Sequence, residues 1–184
     1  MRSMIFCGLT VAVAVTSSPA VAQSPAKAAT ARLRKQVVPK LVQILGQLGK
    51  GQTEAAIDQM EALAGRKFKK TGGPFGSNER EKWQRLFGPF AKHKSSFESV
   101  ELIGIQHVSS QAHKISLVAH GDAGPILFQF RLYSYRGKIK LGNVRFDSNW
   151  DRIEFLVATI KDRIDQRYPL AVQSAAKVRK GAKQ

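Results

Sequence analysis

The chain has 184 residues, with 30 lysines and arginines against 13 aspartates and glutamates, which gives a formal net charge of +17 at pH 7. This length suits one domain with a sizeable hydrophobic core. Its single cysteine, Cys7, lies in the first apolar segment, so the rest of the chain has no disulfide bond, no catalytic thiolate and no cysteine metal site.

Residues 1–22 have the pattern of a secretory signal peptide. One positive charge at Arg2 precedes an uncharged apolar run over residues 4–15, and the small residues A-V-A follow at 20–22. The apolar run is shorter than the roughly 20 residues that a membrane-spanning helix needs. We therefore predict cleavage after Ala22, an exported protein that is periplasmic or extracellular, and no transmembrane segment in the mature chain.

Both ends of the mature chain have compositions typical of flexible segments. Residues 23–32 begin with small and polar residues and one proline, and residues 170–184 hold four cations and no acid. Neither segment has enough apolar residues to offset the entropy cost of ordering it. We predict a flexible N-terminal segment, a single domain over residues 33–169 and a basic disordered tail.

Three helical segments are predicted in the first half of the domain. Apolar residues at helical spacing run over 33–48, and Pro39 inside this pattern predicts that a helix starts or kinks there. A second helix is predicted over 53–64, and a third starts at Asn78. The cations, glycines and proline of residues 66–76 predict the loop between them.

Strands follow from Phe97, where β-branched and aromatic residues become frequent. Two are predicted over 97–108 and 114–120, and the segment 128–146 reads as a hairpin that turns at Arg136-Gly137. Short links make consecutive strands antiparallel neighbours. This predicts a four-stranded antiparallel meander.

The spacing within the hairpin predicts a local irregularity. Leu141 and Val144 are three residues apart, so a regular strand would turn their side chains to opposite faces. A β-bulge at Gly142-Asn143 corrects this and places Val144 opposite Phe130. Such a bulge also curves the sheet.

A last helix is predicted after Ser148. Apolar residues at helical spacing extend from Ile153 to Ile164, and Pro169 closes the helix. The fold class is therefore α+β, with N-terminal helices packed on one face of a curved four-stranded antiparallel sheet, followed by a C-terminal helix.

The order of these elements resembles the nuclear transport factor 2-like superfamily. The segments VVPKLVQILGQL and EKWQRLFGPF stand before the sheet, and the strands VELIGIQHV and GPILFQFRLYSYRGKIKLGNVRF form it, over about residues 33–150. The resemblance implies a cystatin-like cone of curved strands around helices, often with a pocket inside. The superfamily includes enzymes similar to ketosteroid isomerase and limonene epoxide hydrolase, and many members that only bind a ligand or dimerise.

The pocket of such a cone would be lined by the apolar side of the third helix and the strands. The candidates are Trp83, Phe87, Phe90, Ile115, Leu117, Phe128, Phe130, Val144 and Phe146. These residues also suit an ordinary core. The same face of the last three strands carries no carboxylate. Glu98 and Glu101 of the first strand are three residues apart, so their side chains would point to opposite faces of the sheet. We therefore predict no catalytic residue.

Metal and nucleotide sites are not indicated either. The histidines, His93, His107, His113 and His120, show no pair at metal-ligand spacing, and His113 is expected in a turn. No serine elbow or glycine-rich phosphate loop is present. We predict no metal and no cofactor.

The positive charge is the strongest functional signal. It favours binding of polyanions such as nucleic acid, acidic polysaccharide or anionic lipid headgroups, although no nucleic-acid-binding motif is present. On the outer side of the hairpin the candidate contacts are Arg131, Lys138, Lys140 and Arg145, next to two tyrosines. Solvation and protection of a sheet edge also explain such cations.

Three functional hypotheses follow. The first is a non-catalytic exported binding protein that takes a small apolar ligand in its cone or an anionic partner on its basic surface. The second is a small-molecule isomerase or hydrolase, which requires a cavity with an acid or histidine of perturbed pKa beside a tyrosine or arginine. The third is a homodimer that forms through the sheet.

Overall fold

The computed structural model of the chain describes residues 25–68, 79–93, 97–160 and 163–170. The predicted signal peptide and nearly all of the predicted basic tail lie outside these ranges, as does most of the predicted loop over 66–76.

Four helices precede the sheet: α1 (Pro25–Gln36), α2 (Val38–Gly49), α3 (Thr53–Ala64) and α4 (Glu79–His93). The predicted break at Pro39 is confirmed, because α1 ends at Gln36 and Pro39 lies in the first turn of α2. Helix α3 ends at Gly65, whose φ of 68° is the left-handed conformation that glycine adopts at low cost. The predicted second helix is therefore confirmed too.

Residues 25–32 differ from the expectation of a flexible segment, because they form most of α1. Side chains of α1 hydrogen-bond to three separated parts of the sheet. Thr30 Oγ1 lies 2.7 Å from His107 Nε2, Arg32 donates to the Gly137 carbonyl at 2.7 Å, and Arg34 donates to Gln166 Oε1 at 2.8 Å. These contacts are distant in sequence, so composition alone could not show them.

The sheet has five strands rather than four: β1 (Phe97–His107), β2 (Ala112–Gly121), β3 (Gly124–Tyr135), β4 (Lys138–Asp147) and β5 (Arg163–Pro169). Their order is β4-β3-β2-β1-β5, and all neighbours are antiparallel. The α+β class and the four-stranded meander are confirmed. The fifth strand extends the sheet beyond β1.

The C-terminal helix is shorter than predicted. Helix α5 spans only Trp150–Ala158, and its N-cap is Asn149, whose side chain accepts a hydrogen bond from the Arg152 N–H, rather than the predicted Ser148. Pro169 ends a strand and does not close a helix. Ile164 is four residues after Ile160, which suggested one continuous helix, but it lies in β5, where alternate side chains are half-buried.

The two faces of the sheet bury different cores. The inner face packs against α1–α4 and forms the main core, which includes Leu117 and Phe128. The neighbouring residues Val118 and Leu127 point to the outer face, where they pack against Ile153 of α5. Helix α5 therefore covers part of the face opposite the N-terminal helices, whereas one-sided packing was predicted.

Candidate anion-binding surface

The part of the outer face that extends from the β3–β4 turn is here called the hairpin surface. It consists of Lys114 on β2, Arg131, Tyr133 and Tyr135 on β3, Arg136 in the turn, and Lys138, Lys140 and Arg145 on β4. All four predicted polyanion contacts lie on it. Arg131, Lys138 and Arg145 are exposed and Lys140 is half-buried.

Strand register brings these side chains to one face. Arg136 and Gly137 form the turn, as predicted, with φ values of 47° and 71°, and Tyr133 is opposite Lys140 and Tyr135 opposite Lys138. Two consecutive residues with positive φ are typical of the tight turns that match the twist of a two-stranded hairpin. The hairpin therefore holds its cations on short, regular elements.

The predicted β-bulge is confirmed and keeps Arg145 on this face. Arg131 pairs with Asn143 and the next residue of β3 pairs with Leu141, so Gly142 is the extra residue on β4. A Cβ at Gly142 would lie 3.4 Å from both the Arg131 carbonyl oxygen and the Tyr133 ring, which is a tight approach. The bulge leaves Val144 inward, opposite Phe130, as the spacing indicated.

The cations of the hairpin surface are not neutralised by carboxylates. Among the described residues, none of its six lysines and arginines forms an ion pair with an acid. Instead, Arg136 Cζ lies 5.3 Å and Lys140 Nζ 5.5 Å from the centre of the Tyr135 ring. Cation–π contacts of this kind hold a cation in place without cancelling its charge.

Two of these cations also face each other. Lys114 of β2 is the direct cross-strand partner of Arg131 of β3, so both side chains leave the sheet on the same side. Like charges in directly opposite positions destabilise an antiparallel pair. A bound anion would relieve this repulsion, so this pair is a favourable place for a negatively charged group to bind.

Three acids of the N-terminal half are engaged in a cluster around Arg80. Arg80 of α4 donates to Glu54, Asp58 and Glu61 of α3 at 2.6, 2.9 and 3.0 Å. Burial of the Glu61 carboxyl favours its neutral form, but hydrogen bonds from Lys67, the Phe68 N–H and Arg80 outweigh that effect and lower its pKa. This cluster joins α3 to α4. Its negative charge is used in ion pairs.

The nine predicted pocket residues come together in the main core. Their rings contact one another: the centroid of Phe146 lies 5.5 Å from that of Phe90 and 5.7 Å from that of Phe128, and Trp83 lies 5.5 Å from Phe87. Their structural role is thus to hold the helices against the sheet. Val144 and Phe146 also line an open groove of about 810 Å³ beside β4.

Three of the histidines lie on the first two strands. His113 was expected in a turn but belongs to β2, where it is buried and is the cross-strand partner of His107. Their Nδ1 atoms are 2.9 Å apart. Burial, and secondarily the neighbouring His107, lower the pKa of His113. His120 Nε2 lies 3.1 Å from a Glu101 carboxylate oxygen on the adjacent strand.

Sequence reasoning missed this histidine pair and the Arg80 cluster. His107 and His113 are six residues apart across a turn, and only the exact strand register brings them together. Arg80 meets acids 19 to 26 residues earlier, beyond a long loop. No local spacing in the sequence indicates either contact.

The part of the chain that the structure describes holds no group of three or more His, Cys, Asp or Glu side chains close enough to bind a metal ion. In the same residues, every helix is too short or too polar to cross a membrane.

Comparison of the chain with protein-family models, curated proteins and solved structures finds no match in any of the three. The resemblance to the nuclear transport factor 2-like superfamily therefore stays a prediction.

Proposed function

We propose that the chain is an exported, non-catalytic binding protein that binds an anionic partner through the hairpin surface. The observation that carries the proposal is the set of six cations on one face of β2, β3, β4 and the β3–β4 turn, none of which is paired with a carboxylate of the described residues. The signal-peptide pattern of residues 1–22 supports export.

Charge and geometry favour a partner that is extended and carries several negative groups. The cations occupy three neighbouring strands, and adjacent strands lie roughly 4.8 Å apart. An acidic polysaccharide or another polyanion places charges at comparable intervals and releases bound counterions when it binds. Tyr133 and Tyr135, both partly exposed at 40% and 52%, add flat surfaces for sugar rings or bases.

The enzyme hypothesis has less support. Apart from His113, the buried side chains on the inner face of β2–β4 are apolar, and Glu61 of α3, whose pKa is lowered, is held by three hydrogen-bond donors. A carboxylate engaged in this way is a poor general base, because its charged form is already stabilised. We therefore retain the binding function.

The test compares two triple charge reversals in the mature chain. Lys138→Glu, Lys140→Glu and Arg145→Glu alter the hairpin surface. The control, Lys40→Glu, Lys50→Glu and Lys82→Glu, makes the same change in net charge at exposed positions of the helical layer and the turn after α2. Heparin serves as the probe. Its dissociation constant is measured by fluorescence titration over a range of salt concentrations.

The hairpin triple variant is expected to weaken heparin binding by a factor of about 100 or more, because each contact with an anionic group contributes roughly 1 kcal/mol or more. In the control, the affinity for heparin should fall by about tenfold or less, because only the long-range electrostatic attraction of the whole protein is reduced. Equal losses in both variants would show that net charge, and not the hairpin surface, determines binding. An affinity independent of salt would rule out the electrostatic mechanism.

A further inference from the structure

A second cationic depression, here called the α1 groove, lies between helix α1 and the adjoining ends of β1 and β5. Its volume is about 810 Å³, within the range of roughly 300–1,000 Å³ typical of small-molecule sites. Helix α1 contributes residues at positions 26, 27, 30, 31, 34 and 35, which is one face of a helix. The adjacent face of α1 buries Leu33 in the main core.

Among the described residues that line the groove, four are lysines or arginines and none is a carboxylate. Lys27, Arg34 and Lys35 come from α1 and Arg163 comes from β5. Arg34 donates to the neutral side chain of Gln166, a contact that does not cancel its charge. Arg163 forms an ion pair with Asp165.

The rest of the lining is small and apolar. Ala31 is exposed on α1, Ile105 is buried on β1, and Ile164 is half-buried on β5. An apolar surface beside a cluster of cations matches an amphipathic anion, in which an acidic group meets the cations and a hydrocarbon or aromatic body covers the apolar residues. A fully hydrated inorganic ion would leave these apolar residues without a partner.

His107 lines the same groove and is held at both ring nitrogens. Its Nε2 is 2.7 Å from Thr30 Oγ1 on α1, and its Nδ1 is 2.9 Å from His113 Nδ1 on β2. Only one hydrogen fits between the two Nδ1 atoms. These contacts hold the His107 ring between α1 and β2, where it forms part of the groove wall. Burial, together with the neighbouring His107, lowers the pKa of His113.

We propose that the α1 groove is a binding site for a small organic anion, with the acidic group on Arg34 and Lys35 and the apolar body on Ala31, Ile105 and Ile164. This site is separate from the hairpin surface and does not depend on its function.

Calorimetric titration of the mature chain with naphthalene-1-sulfonate tests the proposal. A sulfonate carries one negative charge beside an apolar ring system. Arg34→Gln with Lys35→Gln removes two positive charges from the groove, and Ala31→Trp fills the groove from an exposed position. Lys40→Gln with Lys82→Gln, at exposed positions of the helical layer, is the control with the same change in net charge. Circular dichroism checks that each variant folds.

The charge variant and the filled variant are each expected to weaken binding by about tenfold or more, and the control by less than about threefold. Unchanged binding in Arg34→Gln with Lys35→Gln and in Ala31→Trp would overturn the proposal and point to another groove, such as the one beside β4. Equal weakening in the control would also overturn it, because binding would then follow net charge alone.

Because the hairpin surface is unchanged in these variants and in the control, heparin binding should persist in all of them. Failure of the groove and failure of the proposed function are therefore distinguishable.

Discussion

Replacement of Arg80 by leucine should destabilise the fold by about 2–3 kcal/mol. The Arg80 side chain is only 16% exposed and the Glu61 carboxylate that it contacts is 3% exposed. Loss of one partner from a buried ion pair costs roughly 3–5 kcal/mol. Here the Phe68 N–H and Lys67 still bind Glu61, at 3.0 and 2.9 Å, so the cost is about 2 kcal/mol.

The other two ion pairs of Arg80 add less. Glu54 and Asp58 are 59% and 57% exposed, and pairs of this kind contribute about 0–1 kcal/mol each. In a domain of this size, a loss of 1 kcal/mol lowers Tm by roughly 2–4 °C. The expected decrease in Tm for Arg80→Leu is therefore about 4–12 °C.

The assay is thermal and urea unfolding of Arg80→Leu beside Arg85→Leu. Arg85 lies on the same helix, is 79% exposed and pairs with Glu81 one turn earlier, so its replacement should change stability by less than about 0.5 kcal/mol. If the two variants lost the same stability, the Arg80 cluster would not hold α3 against α4. A smaller slope of free energy against urea would instead indicate a change in the unfolded state.

The pH dependence of this variant gives an independent check. The pKa of Glu61 is lowered in the folded protein, so its charged form contributes stability that is complete above the unfolded-state pKa, near 4.5. That contribution is lost as the pH falls through the lower, folded-state pKa. The difference between the parent and Arg80→Leu should therefore shrink below about pH 4.5. A difference that stayed constant down to about pH 2 would contradict an ionic origin.

Thermal unfolding of five further variants tests three single features. Gly49→Ala should lower the free energy of unfolding by about 1–3 kcal/mol, because the added Cβ would lie 2.9 Å from the backbone nitrogen at the start of β1. Gly46→Ala should be neutral or stabilising by up to about 1 kcal/mol, because the nearest atom to its Cβ would be 3.5 Å away. Asn149→Ala should lower the stability by about 1 kcal/mol, and Ser148→Ala should leave it almost unchanged, because Asn149 is the N-cap of α5. The reverse result would show that Ser148 is the N-cap, as the sequence predicted. His113, whose pKa is lowered by burial, contributes stability that is complete above the unfolded-state pKa near 6.5 and is lost below it, so His113→Gln should flatten the rise in stability between about pH 5 and about pH 7.

The strands could be predicted because their signals are local. Alternation of apolar residues gives the inner face, and the three-residue step from Leu141 to Val144 gives the bulge. Strand β5 gave no such signal. Its half-buried residues, Ile164, Gln166 and Tyr168, include a polar one, and Ile164 also continues the helical spacing of α5. It is the open edge of β1, a long-range feature, that makes this segment a strand.

The same contrast between local and long-range signals applies to the candidate sites. The orientation of the hairpin cations follows from strand parity, so their place on one face could be predicted. The α1 groove could not, because α1 itself has a weak apolar pattern and is fixed by contacts with β1, the β3–β4 turn and β5. The pairing of His107 with His113 likewise depends on the length of the β1–β2 turn.

The contrast between Arg80 and Arg131 supports a binding role for the hairpin surface. At Arg80 the guanidinium stabilises the fold through contacts with three carboxylates. Arg131 instead has Lys114 as its direct cross-strand partner, an arrangement that lowers stability. Solvation alone requires charge but not like charges in register, since a glutamate at position 114 would be equally soluble and would form an ion pair. The repulsion is therefore better explained by an anionic partner that removes it on binding.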